Sequence, residues 1–450
     1  MNRAWLLPFL PRLAAIAVRV YYRATVVGAA PPRAGPVLFV ANHPNSGFDP
    51  AFVVTCAARS VRFLAKAPLF EQPVIGSLLR ACGAIPVYRR TDDPALMERN
   101  VDMFSAVQAA LRAGNAVGIF PEGISHSRPS LAPLRTGAAR IALGTGTAGG
   151  VAFPIVPVGI LLRQKARFRS QALAVVGRPV PWGDLAGHGA EDPDAVRTLT
   201  ARVESALREV TLNLERWEDA PAVEFAEAVY AAEFRLPAAE GERLARQRRI
   251  ADGLAALRRQ RPHRLTAITR NAAELAELLR ALGASPGDLE SSGRPRTTAV
   301  WTLRQALFFF AGVPLAVAGH VLFFVPYRVT DAIGAREGLS EDVRATYKLL
   351  GGALVYSAWI LLIAGAVGVS AGLRSLALAL AGFPALGLVT VFVRERWRDD
   401  RAKAERFLRL RRSGDLRGRL LLMRRDLAQE LEAVRWILAG NAEEDPRAPK

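Results

Sequence analysis

From Pro36 to about Trp182, short apolar runs alternate with stretches whose apolar residues recur every three or four positions. Val37–Val40, Val61–Ala65, Ile85–Tyr88, Ala116–Phe120, Ile155–Gly159 and Ala172–Val176 have the length and aliphatic content of buried strands. Between them, Ala51–Ala58, Leu96–Arg112 and Gly137–Leu143 predict helices. Such alternation predicts an α/β domain with its functional groups on the loops that leave the strand ends.

From about Asp192 to Gly293 the period becomes helical throughout. Val196–Arg216, Pro221–Arg235, Ala239–Gln260 and Asn271–Leu282 carry apolar positions at helical spacing, with Pro237, Pro262 and Pro286 as punctuation. Arg243, Arg246, Arg248, Arg249, Arg258, Arg259 and Arg261 form a basic stripe that reads as a solvated helix face, with membrane-surface contact as the alternative. Three apolar segments follow, Ala306–Val325, Leu349–Val369 and Ser375–Val393, each near the roughly 20 residues that cross a bilayer. Gly312, Pro314, Gly319 and His320 interrupt the first; a short link around Ala371–Arg374 makes the other two a helical hairpin. Leu416–Leu438 is a last amphipathic helix, and Met1–Arg23, broken by Pro8 and Pro11, is either an interfacial helix or one packed on the domain.

Composition fits this division. Hydrophobic residues make up 51% of the 450 and charged residues 22%, a mixture expected of a soluble domain joined to membrane segments. The formal net charge of +19, almost all of it Arg, suits anionic partners such as phospholipid headgroups or phosphorylated substrates. Cys56 and Cys82 lie in apolar surroundings with no metal-ligand or disulfide pattern. The predicted organisation is an interfacial helix over 1–35, an α/β domain over 36–185, a helical region over 190–297, membrane segments over 298–395 and a basic amphipathic tail over 396–450. The positive-inside rule places that tail in the cytoplasm. A cytoplasmic α/β domain then requires an even number of crossings, with Ala306–Val325 re-entrant or interfacial.

The chemistry lies in two polar turns. Asn42-His43-Pro44-Asn45-Ser46-Gly47-Phe48-Asp49-Pro50 places an imidazole and a carboxylate a few residues apart, directly after a strand. An imidazole held by a carboxylate is the minimum needed to take a proton from an alcohol. A turn capped by Asn and Asp is the bland alternative. The second turn, Phe120-Pro121-Glu122-Gly123-Ile124-Ser125-His126-Ser127, also follows a strand.

Between and beyond these turns come Arg62-Phe63-Leu64-Ala65-Lys66-Ala67-Pro68-Leu69-Phe70, Gly83-Ala84-Ile85-Pro86-Val87-Tyr88-Arg89-Arg90, Leu134-Arg135-Thr136-Gly137-Ala138-Ala139-Arg140 and Ile155-Val156-Pro157-Val158-Gly159. This ordered set, from about Pro36 to Val180, resembles the glycerolipid acyltransferases: the lysophosphatidate acyltransferases and their glycerol-3-phosphate acyltransferase relatives. Two departures stand out. Five residues, not the usual four, separate His43 from Asp49, which looks like the yeast-type glycerol-3-phosphate branch. The extra residue is expected to be absorbed by an unusual backbone conformation at Gly47. The Thr-Arg that commonly follows Pro-Glu-Gly is replaced by Ile124-Ser125-His126-Ser127-Arg128, so that Arg128 or Arg135 must stand in.

The resemblance implies a mixed central sheet flanked by helices, and transfer of an acyl group from acyl-CoA or acyl-carrier protein to glycerol 3-phosphate or 1-acylglycerol 3-phosphate. It implies no metal or redox cofactor and no nucleic acid. His43 would be the general base and Asp49 its orienting carboxylate, with no acyl-enzyme, Ser46 being the runner-up nucleophile. Lys66, Arg89, Arg90 and Arg135 would hold phosphate, Glu122 would meet glycerol hydroxyls or orient an Arg, and Gly123 would admit substrate close to the backbone. His126 is read as a substrate contact or a turn stabiliser. A bacterial inner membrane, with the α/β domain on the cytoplasmic side, is the expected location. The competing readings are another lysolipid or amino-lipid acceptor and a non-catalytic basic membrane-associated protein.

Overall fold

The computed structural model describes residues 4–88, 100–149, 152–290, 295–335, 341–412 and 414–438. They form two compact units, Met1–Glu215 with Glu337–Leu349, and Arg216–Arg336 with Leu350–Lys450.

The first unit is built on seven described strands: β1 (Tyr22–Gly28), β2 (Val37–Ala41), β3 (Val61–Lys66), β4 (Ile85–Val87), β5 (Ala116–Ile119), β6 (Ile155–Leu162) and β7 (Ser170–Val176). Their order is β1-β7-β6-β2-β5-β3-β4. All neighbours pair in parallel except β6 and β7, so the sheet is mixed. Its helices are α1 (Leu10–Tyr21), α2 (Phe48–Ala57), α3 (Pro68–Glu71), α4 (Pro73–Ala81), α5 (Asn100–Arg112), α6 (Gly137–Gly149) and α7 (Pro193–Val210).

Strand β2 shows why the apolar runs are continuous. All five of its residues are buried, because both sheet faces are covered. Val37, Phe39 and Ala41 belong to one core with Val18 of α1 and Phe52 of α2; Leu38 and Val40 belong to another with Leu111, Leu143 and Leu199. The period of two thus distributes one strand between two cores.

Six of the strands coincide with the runs predicted from sequence, and β1 is the addition. The chain leaves the helix at Tyr21, and Tyr22–Gly28 pairs with Ser170–Val176. Aromatic and β-branched residues suit that edge position, but a lone strand following directly on a helix carries no punctuation to announce it. Ala14, Val18 and Tyr21 of α1 are buried, whereas Trp5, Phe9, Leu13, Ile16 and Val20 are exposed.

Topology then locates the functional edge. β2, β3, β4, β5 and β6 share one direction, so their carboxyl ends line the same edge of the sheet. The segments that begin at Asn42, Ala67, Phe120 and Arg163 all leave from that edge, where ligands meet parallel sheets.

The second unit contains α8 (Ala220–Glu233), α9 (Glu240–Gln260), α10 (Pro262–Leu282), α11 (Pro295–Leu322) and α12 (Phe324–Gly334). It also holds most of α13 (Glu341–Ala371), together with α14 (Leu373–Arg412) and α15 (Gly414–Leu438). Leu275, Leu279, Leu289, Leu420 and Leu427 share its core, which absorbs the apolar face of α15. The Arg stripe of α9 is only partly a solvated face. Arg246 is buried and donates to Glu227 at 2.9 Å, and Arg258 donates to Asp219 at 2.6 Å.

Val343–Ala371 and Leu373–Leu410 are long and apolar enough to cross a membrane, and Gly372, at φ +85°, separates them. Phe308–Leu322 and Phe324–Gly334 form a pair bent by 60°, so the segment expected to be interrupted is broken. α11 and α14 approach closely at small residues: a Cβ on Gly319 would fall on Thr390, and one on Gly312 would lie 3.0 Å from Val393.

Candidate active site

Beyond β2, side chains take over from strand pairing. Asn42 Nδ2 donates to the Ile160 carbonyl at 3.0 Å and its Oδ1 accepts the Ile160 N–H at 2.7 Å. This amide imitates one rung of the ladder and fixes the point at which the chain turns off the sheet edge.

His43 follows, and its ring is held from two directions. Nδ1 lies 2.7 Å from Asp49 Oδ2, and the ring stacks on Phe120 with centroids 4.1 Å apart and planes 8° from parallel. Its backbone N–H donates to Glu122 Oε1 at 2.9 Å. An ionised carboxylate only accepts, so the Nδ1 proton faces Asp49 and Nε2 keeps its lone pair. Nε2 has no hydrogen-bond partner among the described residues, and the side chain is 16% exposed. The ring is therefore held in place, with Nε2 uncommitted among the described residues.

Asp49 is fully buried. Its Oδ2 also accepts the Asn45 N–H at 2.7 Å, while Oδ1 has no partner among the described residues. Burial pushes its carboxyl above the usual carboxylate range; the hydrogen bond and charge of His43, the Asn45 N–H and the charge of Lys165 pull it back.

The extra residue between His43 and Asp49 is not absorbed at Gly47. Gly47 is helical at φ −69°, and Ser46 takes the left-handed conformation at φ +46°. Gly47 is required for space instead, since a Cβ there would lie 2.7 Å from the Thr346 methyl of α13. Around this turn the N–H groups of Asn45, Ser46, Phe48 and Asp49 already donate to Asp49, Ser125, Asn45 and Ser46 respectively. Among the described residues this leaves the Gly47 N–H as the uncommitted backbone donor of the turn.

The second turn closes on the first. Glu122 is buried, and its carboxylate accepts from the His43 N–H, from the Ala132 N–H at 2.7 Å and from His126 Nε2. His126 Nδ1 accepts the Arg128 N–H at 3.1 Å, and the His126 N–H donates to the His43 carbonyl at 3.1 Å. Glu122 and His126 thus lock the two turns together. Gly123 sits at φ +74°, with the Arg135 side chain 3.4 Å from where its Cβ would be.

The cations are distributed along the same edge. Lys66 ends β3 and is exposed; Arg135 is exposed beside Gly123. Arg89 and Arg90 lie outside the described residues. Residues not singled out from sequence are Asn42 as a strand mimic, Asn45, Tyr22 and Lys165. Of these, only Asn42 and Asn45 lie inside a motif; Tyr22 and Lys165 reach the site from β1 and from the β6–β7 loop, which no local pattern reveals.

Residues 23–161 match the Acyltransferase family model. The chain is 32% identical over 134 residues to glycerol-3-phosphate O-acyltransferase 2 of Saccharomyces cerevisiae, covering 29% of this chain and 18% of the yeast protein. It is 28% identical over 150 residues to the chloroplastic 1-acyl-sn-glycerol-3-phosphate acyltransferase BAT2 of Brassica napus, covering 33% and 40% of the two chains. It is 27% identical over 163 residues to the 1-acyl-sn-glycerol-3-phosphate acyltransferase of Bacillus subtilis, covering 33% and 75%. The crystal structure of the 1-acyl-sn-glycerophosphate acyltransferase PlsC from Thermotoga maritima aligns with a TM-score of 0.34 at 20% identity, covering 46% of this chain and 79% of that one. The chain spans less than half the length of the yeast and plant relatives. Within it, residues 23–161 carry an acyltransferase-family domain.

Proposed function

We propose that the protein transfers a fatty acyl group from a thioester donor, acyl-CoA or acyl-carrier protein, to a hydroxyl of glycerol 3-phosphate or 1-acylglycerol 3-phosphate. The observation that carries this is the buried Asp49 holding His43 Nδ1 at 2.7 Å, which leaves Nε2 free to act. The acceptor oxygen attacks the thioester carbonyl as its proton passes to Nε2, and the resulting imidazolium is stabilised by Asp49. The acceptor alcohol is itself the nucleophile, so no enzyme serine is acylated. Collapse of the tetrahedral intermediate expels the thiolate, which takes the proton back from the imidazolium. The Gly47 N–H is a backbone donor placed for the oxyanion. Lys66 and Arg135, with Arg89 and Arg90, supply charge for the acceptor phosphate.

Isolated membranes given one labelled acyl donor and a panel of acceptors test this. Glycerol 3-phosphate or its monoacyl form should be acylated at least about tenfold faster than lysolipids lacking a terminal phosphate monoester. Preference for another lysolipid, or for an amino-lipid, would move the acceptor assignment. Failure with every acceptor and both donors would leave the non-catalytic reading.

The same proposal places the protein at a bilayer with anionic headgroups. Trp5, Phe9, Leu13, Ile16 and Val20 are exposed together and are interspersed with Arg12 and Arg19, as in a helix that lies in the interface. Two crossings, α13 and α14, would keep the acyltransferase domain and the basic tail on the cytoplasmic side of an inner membrane. In right-side-out vesicles, a C-terminal tag should resist external protease. A spin label at Ile16→Cys should report apolar surroundings. Cleavage of the tag from outside rejects the topology, and a fully water-exposed label rejects the interfacial helix.

A further inference from the structure

We propose that Lys165 is a positioning residue of this site, the buried cation that holds the two catalytic turns together and offsets the charge of Asp49. The inference rests on the acyl-transfer reading above. Lys165 lies beyond the matched segment 23–161, in the loop between β6 and β7, and is 8% exposed. Its Nζ donates to Ser127 Oγ at 2.9 Å and to the His126 carbonyl at 3.3 Å.

Its backbone is tied to the other turn. Tyr22 OH donates to the Lys165 carbonyl, Asn45 Nδ2 donates to Tyr22 OH at 2.7 Å, and the Asn45 N–H donates to Asp49. The hydrogen bonds therefore close a ring. It runs from His43 through Asp49, Asn45, Tyr22 and Lys165 to His126 and Glu122, and returns to the His43 N–H. Neither turn can shift without breaking a hydrogen bond of this ring.

Charge makes the choice of lysine specific. The chain has 60 Lys and Arg, of which only Lys66, Lys165, Lys348, Lys403 and Lys450 are Lys. At this position the chain, which mostly uses Arg, places a compact ammonium, a point charge with three donors. Two carboxylates are buried beside His43, Asp49 from α2 and Glu122 from the β5–α6 loop. His126 donates to Glu122 through Nε2. Burial keeps the Tyr21 and Tyr22 hydroxyls protonated, so they add no charge. On α13, Arg344 and Lys348 flank Thr346, which packs against Gly47. Arg135 lies on the exposed side of Gly123. Burial raises the Asp49 carboxyl, and the charge of Lys165 is among the influences that draw it back; Asp49 Oδ1 has no hydrogen-bond partner among the described residues. Removing that charge favours any state of the His43–Asp49 pair that has gained a proton.

The test uses the full chain in nanodiscs. Transfer is measured against pH, and carbethoxylation of His43 by diethyl pyrocarbonate is measured against pH by peptide mass spectrometry. In Lys165→Met, the acid limb of the transfer profile and the midpoint of His43 modification should both move up by about one pH unit, a roughly tenfold loss at the acid end. Lys165→Arg should return both most of the way. A folded Lys165→Met with both midpoints unmoved overturns the proposal. Modification does not require turnover, so a shifted His43 midpoint without transfer would reject the acyl-transfer reading and keep the assignment of Lys165. If Lys165→Met does not fold, Lys165→Gln, which keeps a donor for Ser127, is read in the same way. If no neutral variant folds, Lys165→Arg decides: its failure would show that the position needs shape rather than charge.

Discussion

His43→Ala is expected to lower kcat for acyl transfer by about 10³–10⁴-fold while leaving KM for the phosphorylated acceptor nearly unchanged. A loss of that size corresponds to about 4–5.5 kcal/mol of transition-state stabilisation. The separation of the two constants follows from the layout. The imidazole leaves β2 beside Phe120, whereas Lys66 and Arg135 stand on β3 and beyond the Pro-Glu-Gly turn. The bonds that position the turn survive the substitution, because His43 donates to Glu122 and accepts from His126 through its backbone. The variant should therefore still sediment with membranes and resist protease like the wild type. Transfer retained within tenfold would sink the general-base mechanism. A rise in acceptor KM with kcat intact would instead make His43 a binding group.

Legibility varied with how local each feature is. β2, β5 and β6 are continuous apolar runs because both faces of the sheet are covered there, and continuity is visible in one dimension. β1 is an edge strand that follows directly on α1, and the apolar face of α1 dominates the pattern there. His43 and Asp49 were legible because seven residues of chain contain both partners. The conformation between them was not: glycine is the residue that tolerates a left-handed backbone, yet Ser46 adopts it while Gly47 makes room for Thr346, a residue 299 positions further on (346 − 47). Glu122 was found by its motif. The sequence could not show that three protein donors occupy its carboxylate, because one of them, the His43 N–H, becomes a neighbour only when β2 and β5 pair.

Asp49→Asn is the second large effect, and its two consequences should have opposite signs. Activity should fall by about 10³–10⁴-fold. If the new amide turns Nδ2 toward the imidazole, the proton moves to Nε2 and the base is lost. If it turns Oδ1 instead, the tautomer survives but no charge stabilises the imidazolium. Stability should respond differently, because the wild-type carboxylate is ionised only against the cost of burial. With its pKa raised, native Asp49 binds a proton that the unfolded chain has already released, across the window from about 3.9 up to the raised value. Wild-type stability therefore declines as pH climbs through that window, and the full cost persists above it. The substituted amide does not titrate and has no such dependence. Its opposing penalty, about 1–3 kcal/mol for an amide group where Oδ1 has no partner, is the same at every pH. The difference in melting temperature, variant minus wild type, should grow more positive as pH rises from about 4, the ordinary carboxylate value, followed by protease resistance of the unit that carries the sheet. A difference that shrinks over that range would mean that Lys165, His43 and the Asn45 N–H together overcompensate the desolvation of Asp49. The buried charge would then stabilise the fold as well as serve the chemistry.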